Sequence, residues 1–348
     1  MSDTRDQPAV WFPAVRAHSG ADVFTERLCA ALNAQGIRAD ITWLPLRAEY
    51  APWSVPVPRP PEWATVVHAN SWLHPRFLPP RLPVVTTLHS CVHDPALRPY
   101  KSPAKALYHA AWIGRVEAAH LRRADRVVAV SRYTADMARR VFGRSDIEVI
   151  YNGVDTAEFH PIDRTAPNRP FRLLYVGNWD ARKGVDLLGP ILRALGPDFE
   201  LHYTADRNGR HTRYALPPNA RCIGRLSGEG LVRAYQTADA LLFPSRLEGL
   251  PLSVLEAMAC GLPVIAANTS SLPELVEPGK SGWLCPKDAV ACFADAARRL
   301  QSRPSDWLDM RSRSRQNAVA KFSRSAMLDG YVDTYAATFL SRTRDWPA

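Results

Sequence analysis

A chain of 348 residues exceeds what one ordinary hydrophobic core takes, which argues for two domains and excludes peptides, small disulfide scaffolds and single small modules. With 46% hydrophobic, 22% charged and 9% aromatic residues, it has the apolar material for packed cores and is not disordered as a whole. Forty-four Lys and Arg against 34 Asp and Glu leave a net charge of +10, which favours anionic partners such as phosphates, nucleic acid or an acidic membrane surface.

Short apolar runs alternate with helical patterns from the start. Val10 to Phe12 reads as a strand, Ala21 to Gln35 as a helix closed by Gly36, and Ile41 to Leu44 as a second strand. Strands follow at Val66 to His68 and Val84 to Leu88. Next come a basic helix from Tyr108 to Arg123, a strand at Val127 to Val130, a helix capped by Ser131, and a strand at Val149 to Tyr151. Asn152-Gly153 makes a turn, and the stretch from His160 to Pro170 is polar, proline-bearing and aperiodic, as interdomain linkers are. A second alternating set runs through Phe171 to Val176, Glu200 to Tyr203, Arg221 to Ile223, Ala240 to Phe243, Pro263 to Ala266 and Trp283-Leu284. Such alternation specifies the α/β class: two doubly wound, Rossmann-like domains with parallel sheets. Their ligands are expected beyond the carboxyl ends of the strands, in a cleft that the two domains face.

The start, Met1 to Val10, mixes acids and bases and lacks the layout of a signal peptide. The longest apolar runs, such as Ala238 to Pro244 interrupted by Asp239, fall far short of the ~18 residues that span a bilayer. The six cysteines show no C-x-x-C pair or metal spacing and suit buried thiols, so a reducing, cytoplasmic setting is expected. Arg98 to Arg144 is the most charge-biased segment, with eleven basic and three acidic residues and the aromatics Tyr100, Tyr108, Trp112 and Tyr133 interleaved. It suits a solvated helix face, a surface for anionic lipid at the inner face of a membrane, or a channel for an acceptor phosphate.

The sharpest constellation runs from Phe243 to Gly261: a strand end, a loop with Glu248 and Gly249, and a helix apolar almost all round except for Glu256. A helix so apolar is buried, and an ionised Glu256 in it needs hydroxyls, amides or a cation. The loop before it offers backbone N–H groups and the positive end of a helix dipole, which suit a phosphate. Two carboxylates around an anion site fit a phosphorylated polyol, and a nucleotide sugar better than a nucleic acid. The same residues also suit a plain structural role, with Glu248 capping its loop and Glu256 paired with a buried Arg.

The stretch resembles the E-x7-E signature of the retaining glycosyltransferases of family 4, which have the two-domain GT-B fold. Leu174 to Gly177 with Arg182-Lys183-Gly184 resembles that family's phosphate-binding loop, Val149 to Asp155 its domain-closing turn, and Pro263 to Ala266 the strand after the signature helix. The domains expected are 1–163 on the acceptor side and 164–325 for the nucleotide sugar, with 326–348 as a C-terminal helix packing back on the first. The resemblance implies that Glu256 binds ribose hydroxyls, that Glu248 contacts donor-sugar hydroxyls, and that Gly249, Leu250, Pro251 and Leu252 line sugar and diphosphate. It implies that Lys183 neutralises the diphosphate beside Gly177. Members commonly carry Arg directly after that Gly, where this chain has Asn178; Arg182 is the substitute cation.

His18-Ser19-Gly20 lies between the first strand and first helix and resembles the family's glycine loop with one Gly only; it also reads as an ordinary turn with a serine cap. His89 ends the strand Val84 to Leu88 and resembles a family His near the reaction centre, with His93 a second candidate. Arg132, after the next strand, suits a phosphate, an acidic acceptor or plain solvent. The expected activity is retaining, metal-independent transfer of a sugar from a nucleoside-diphosphate sugar to an acceptor hydroxyl, in cell-surface glycan or glycolipid synthesis. The acceptor is a glycan or a lipid-linked intermediate. No D-x-D motif sits where it would hold a metal on the diphosphate, and no cofactor is implied beyond the donor substrate. A nucleotide-sugar epimerase and a non-catalytic nucleotide- or glycan-binding relative are the alternatives, and nucleic-acid binding ranks last. The absence of G-x-G-x-x-G after the first strand and of a P-loop sets aside dehydrogenases and P-loop NTPases.

Overall fold

A computed structural model describes residues 7–205 and 214–344, with side chains of the last stretch as far as Ser341. The first six residues of the chain start and the last four of the expected C-terminal helix lie outside the described residues. The chain divides into two compact units, one of Met1–Asn152 with Ser325–Ala348 and one of Gly153–Arg324.

The first unit holds strands β1 (Val10–Val15), β2 (Ala39–Leu44), β3 (Val66–Asn70), β4 (Val84–Leu88), β5 (Arg126–Ala129) and β6 (Ile147–Val149). They form one sheet, parallel throughout, in the order β2-β1-β3-β4-β5-β6. The second holds β7 (Phe171–Tyr175), β8 (Phe199–Tyr203), β9 (Ala220–Cys222), β10 (Ala240–Phe243), β11 (Val264–Ala267) and β12 (Gly282–Cys285). These are again parallel, in the order β12-β11-β10-β7-β8-β9.

Helices of the first unit are α1 (Gly20–Ala34), α2 (Arg47–Tyr50), α3 (Pro103–Tyr108), α4 (Gly114–Arg123) and α5 (Arg132–Phe142). The second contributes α6 (Val185–Leu195), α7 (Gly228–Thr237), α8 (Leu252–Ala259), α9 (Leu272–Leu275), α10 (Val290–Ser302) and α11 (Pro304–Lys321). The last helix, α12 (Arg324–Arg344), returns the chain to the first unit.

Strands covered by helices on both faces read as continuous apolar runs rather than alternating ones. Every residue of β4, β10 and β11 is buried for that reason. Two threonines in β4 are affordable because each is answered: Thr86 by the His120 ring at 2.8 Å, Thr87 by His68 at 2.8 Å and the Tyr331 hydroxyl at 2.9 Å. Tyr331 and Tyr335 of α12 are fully buried, and Tyr335 closes the network on His68 at 2.6 Å.

Two expectations shift. The basic helix of Tyr108 to Arg123 is α3 and α4 joined by a π-helical turn at His109–Ile113, which rotates His109 and Ile113 into the core. Residues 153–163, expected in the first domain, cluster with the second unit. There Arg315 donates to the carbonyls of Phe159 and Thr156, and Arg324 pairs with Asp155 at 2.7 Å. The polar linker composition thus begins after the crossover, which falls between Asn152 and Gly153.

Candidate active site

In a doubly wound sheet the ligand position is where the strand order reverses, beyond the carboxyl ends of the strands. In the second unit that point lies between β7 and β10, and the loops leaving these two strands carry the residues singled out from the sequence. Arg182 and Lys183 follow β7, and Ser245 to Pro251 follow β10.

The two loops are locked together. Gly184 sits at φ +72° with its Cα so close to the next loop that a Cβ would lie 2.2 Å from the Pro244 carbonyl oxygen; only glycine fits. The Arg246 amide donates to the Arg182 carbonyl at 2.9 Å, and the Arg182 guanidinium donates to the Leu247 carbonyl at 2.7 Å. Arg246 fixes the loop from behind, with both terminal nitrogens on Asp186 at 2.7 Å and Nε on Asp288 at 2.6 Å. This clamp raises its already high pKa, chiefly through the hydrogen bonds to Asp186.

The result is a charge cluster around Glu248, which is 6% exposed. Its Oε1 accepts from Lys183 Nζ at 2.6 Å and from Ser245 Oγ at 2.5 Å, while Arg182 stands 3.8 Å from Oε2. Burial alone raises a carboxyl pKa; here Lys183, Arg182 and the hydrogen bonds outweigh it, and the group is held below the usual range. Its backbone amide donates to Ser270 Oγ at 2.9 Å, fixing the peptide that leads into α8.

Gly249, Leu250 and Pro251 are buried ahead of α8, while Leu252 and Ser253 of its first turn are partly exposed. Glu256 is buried one turn further in and accepts from the Tyr235 hydroxyl at 3.1 Å. A tyrosine of α7 is thus one polar partner of the glutamate in so apolar a helix. Across the β7 loop, Gly177 donates its amide to Thr204 Oγ1 at 3.2 Å, and the carbonyl of the exposed Asn178 accepts from Tyr175 at 2.9 Å.

The first unit has its own reversal, between β1 and β3, and a small cavity opens there. Its walls include Phe12, Phe24, His68, Asn70, Thr87 and His89. Burial pushes the His89 imidazole down to about 4, so it is neutral at physiological pH. Its ring meets Phe24 edge-on at 4.7 Å.

The loop before α1 is braced by an acid of that helix. The amides of Ala17 and His18 donate to Asp22 Oδ2 at 2.9 and 2.8 Å, and Ser19 Oγ donates to Oδ1 at 2.9 Å. His18, at φ +53°, Ser19 and Gly20 are exposed, and the amides of Ala17 and His18 hold a carboxylate of the chain itself. His93 faces the fully buried Glu117 at 3.3 Å, whose other oxygen accepts from Ser71 at 2.6 Å. Arg132 is exposed at the first turn of α5, whose cap Ser131 accepts from the Thr134 amide at 3.0 Å.

Sequence reasoning missed Asp22, Tyr235, Ser245 and Arg246. Ser245 and Arg246 had a signal, since both lie inside the signature stretch; Tyr235 is paired with Glu256 only by the packing of α7 on α8.

Two parallel sheets, each doubly wound about its own reversal point, define a two-domain α/β protein of the GT-B class. Residues 60–158 match the model described as Glycosyltransferase Family 4, and residues 170–303 that described as Glycosyl transferases group 1. Glycogen synthase of Mycobacterium tuberculosis is 27% identical over 296 residues, 78% of this chain and 68% of that one. D-inositol 3-phosphate glycosyltransferase of Mycolicibacterium smegmatis is 28% identical over 312 residues, 79% of this chain and 68% of its relative. Among solved structures, sucrose-phosphate synthase from Thermosynechococcus elongatus superposes with a TM-score of 0.77 at 21% identity, covering 95% of this chain and 99% of that one. Anabaena HepE in complex with UDP gives 0.72 at 18% identity, covering 94% and 100%. The chain belongs to glycosyltransferase family 4, and it is a glycosyltransferase. Among the described residues no helix is long and apolar enough to cross a membrane.

Proposed function

We propose that the chain transfers a sugar from a nucleoside-diphosphate sugar to an acceptor hydroxyl with retention at the anomeric carbon. The observation that carries this reading is the Lys183–Glu248–Arg182 cluster at the reversal point of the second sheet, one loop ahead of the start of α8. A departing diphosphate gains negative charge, and fixed cations stabilise it most in the transition state. Lys183 and Arg182 supply that field in place of a metal ion. Glu248, kept ionised, accepts hydrogen bonds from donor-sugar hydroxyls and steadies positive charge at the anomeric carbon. Glu256 accepts from the ribose hydroxyls, and Gly249, Leu250, Pro251 and Leu252 line the sugar and diphosphate. UDP and UDP-glucose are the ligands named for HepE, and they make uridine nucleotides the first to try.

The first unit serves the acceptor, a glycan or lipid-linked intermediate of cell-surface polysaccharide synthesis. Its cavity presents His89 as a neutral imidazole able to donate or accept one hydrogen bond. Asp22, held by the amides of Ala17 and His18 before α1, is a carboxylate that can accept from an acceptor hydroxyl.

The experiment is a product assay by NMR with nucleotide sugars and a panel of glycoside acceptors, run with and without EDTA. Transfer with the donor's anomeric configuration, unchanged by EDTA, is expected. Inverted product, or activity abolished by EDTA and restored by a divalent ion, overturns the reading.

A further inference from the structure

The first unit carries an exposed apolar face. α3 buries none of its residues, and Leu107 on it is 69% exposed. Beside it lie α2 and the 3-10 turn Pro52–Ser54, where Leu46, Tyr50 and Trp53 are 50%, 55% and 69% exposed. The two segments belong to one surface. The Trp112 indole N–H donates to the Glu49 carbonyl at 2.9 Å, its ring meets Trp53 edge-on at 6.1 Å, and Tyr108 lies within electrostatic reach of Glu49. Scattered apolar side chains on a surface need no explanation, but two indoles, two tyrosines and two leucines gathered around a helix without a buried face do.

The rim of this face is basic. Arg47, Lys105 and Arg115 are exposed on its elements and at the start of the next helix, and Arg76 holds the Pro52 carbonyl at 2.7 Å. The acids on the same elements are withdrawn: Glu49 is half-buried and Glu117 fully buried. Four other bases of the segment 98–144 are held by the chain itself. Arg123 is spent on the carbonyls of Pro79 and Leu82, Arg139 on Ile147 and Asp136, Arg144 on Ala124 and Asp146, and Lys101 on Val92.

We infer that the face formed by α2, the Pro52–Ser54 turn, α3 and Trp112 docks the enzyme on an anionic lipid bilayer. Indole and phenol rings have an apolar body and a polar edge and settle at the headgroup boundary, where Leu46 and Leu107 reach the acyl region. Lysine and arginine stems cover apolar surface while their charges meet lipid phosphates. A ring of bases around aromatics, with its acids withdrawn, complements such a surface in both respects. The inference is independent of which nucleotide or acceptor the enzyme uses.

The test is flotation of the full chain with vesicles of phosphatidylcholine alone and with about one-third phosphatidylglycerol, at low and physiological salt. The parent is expected on the anionic vesicles. Trp53→Ser with Leu107→Ser, and separately Lys105→Ser with Arg115→Ser, should each lower partitioning by on the order of tenfold. A thermal melt checks that each variant folds, and Leu107→Ser alone serves in the same assay if the double variant does not. Absence of the parent from anionic vesicles at low salt, or variants that float as the parent does, overturns the inference. So does a self-association in sedimentation that Trp53→Ser abolishes while vesicle binding is absent, because the face would then be a contact between copies of the chain.

Discussion

At the residue scale the central object is the contact between Lys183 and Glu248, 2.6 Å apart in a site where the carboxylate is almost wholly buried. Each partner makes the other's charge affordable, and in the proposed reaction the same cation meets the diphosphate. Lys183→Ala therefore has two expected effects. The rate of transfer falls by ~10²–10³, the cost of one preorganised electrostatic partner, read as kcat at saturating donor. Stability at neutral pH falls by about 1–3 kcal/mol, because Glu248 keeps Ser245 and Arg182 but loses its main counter-charge. The pH dependence has a definite sign. A carboxyl held below its ordinary 4.5 stabilises the fold fully above that value and loses its contribution as the pH falls through the depressed one. Urea melts of parent and Glu248→Gln should diverge above pH 4.5 and converge below it. Glu256→Ala should weaken nucleotide binding by ~1–3 kcal/mol through lost charged hydrogen bonds, measured by calorimetry; a folded variant with the parent's affinity removes Glu256 from the site.

At the scale of elements, the turn from β7 into α6 is held by Gly184, where a Cβ would press into the Pro244 carbonyl and the backbone is left-handed. Gly184→Ala should displace that turn, separating Lys183 from Glu248, and lower stability by about 1–3 kcal/mol, with a loss of kcat seen in the same assay as for Lys183→Ala. The turn was legible in the sequence because Arg182-Lys183-Gly184 follows a strand at a recognisable distance from the E-x7-E stretch. The loop before α1 was not. Asp22 looks like an ordinary acidic residue in a first helical turn, and only the fold shows that it curls back onto the amides of Ala17 and His18. Likewise the helix expected from Tyr108 to Arg123 has good helical periodicity, and periodicity does not register one extra residue in a turn, as at His109–Ile113. Strand positions came through well because buried parallel strands are written as short apolar runs; partners across the packing, such as Tyr235 for Glu256, are not written locally at all.

At the scale of the whole molecule, the chain carries two sheets with one reversal point each, and the alternating pattern predicted that number directly. The crossover was harder to place, since nothing in Asn152-Gly153 sets it apart from other loop dipeptides while the longer polar stretch after it packs within the second unit. In the first unit desolvation lowers four imidazoles, His68 to about 3 and His89, His109 and His120 to about 4. A base held below its unfolded value of about 6.5 is bound by protons more readily in the unfolded chain, so stability is intact above that pH and falls as the pH drops toward 4. Hydrogen exchange at pH 7 and pH 5 should show the first unit loosening before the second, and equal loosening would contradict the assignment.

The most direct test of the account is titration of parent, Lys183→Ala and Glu256→Ala with UDP, GDP, ADP and dTDP, followed by thermal shift. The account predicts that one diphosphate stabilises the parent, by about 2.7 kcal/mol at roughly 100 times its Kd, and that both substitutions reduce the effect. Stabilisation of all three proteins to the same extent, or of none of them by any diphosphate, would contradict it.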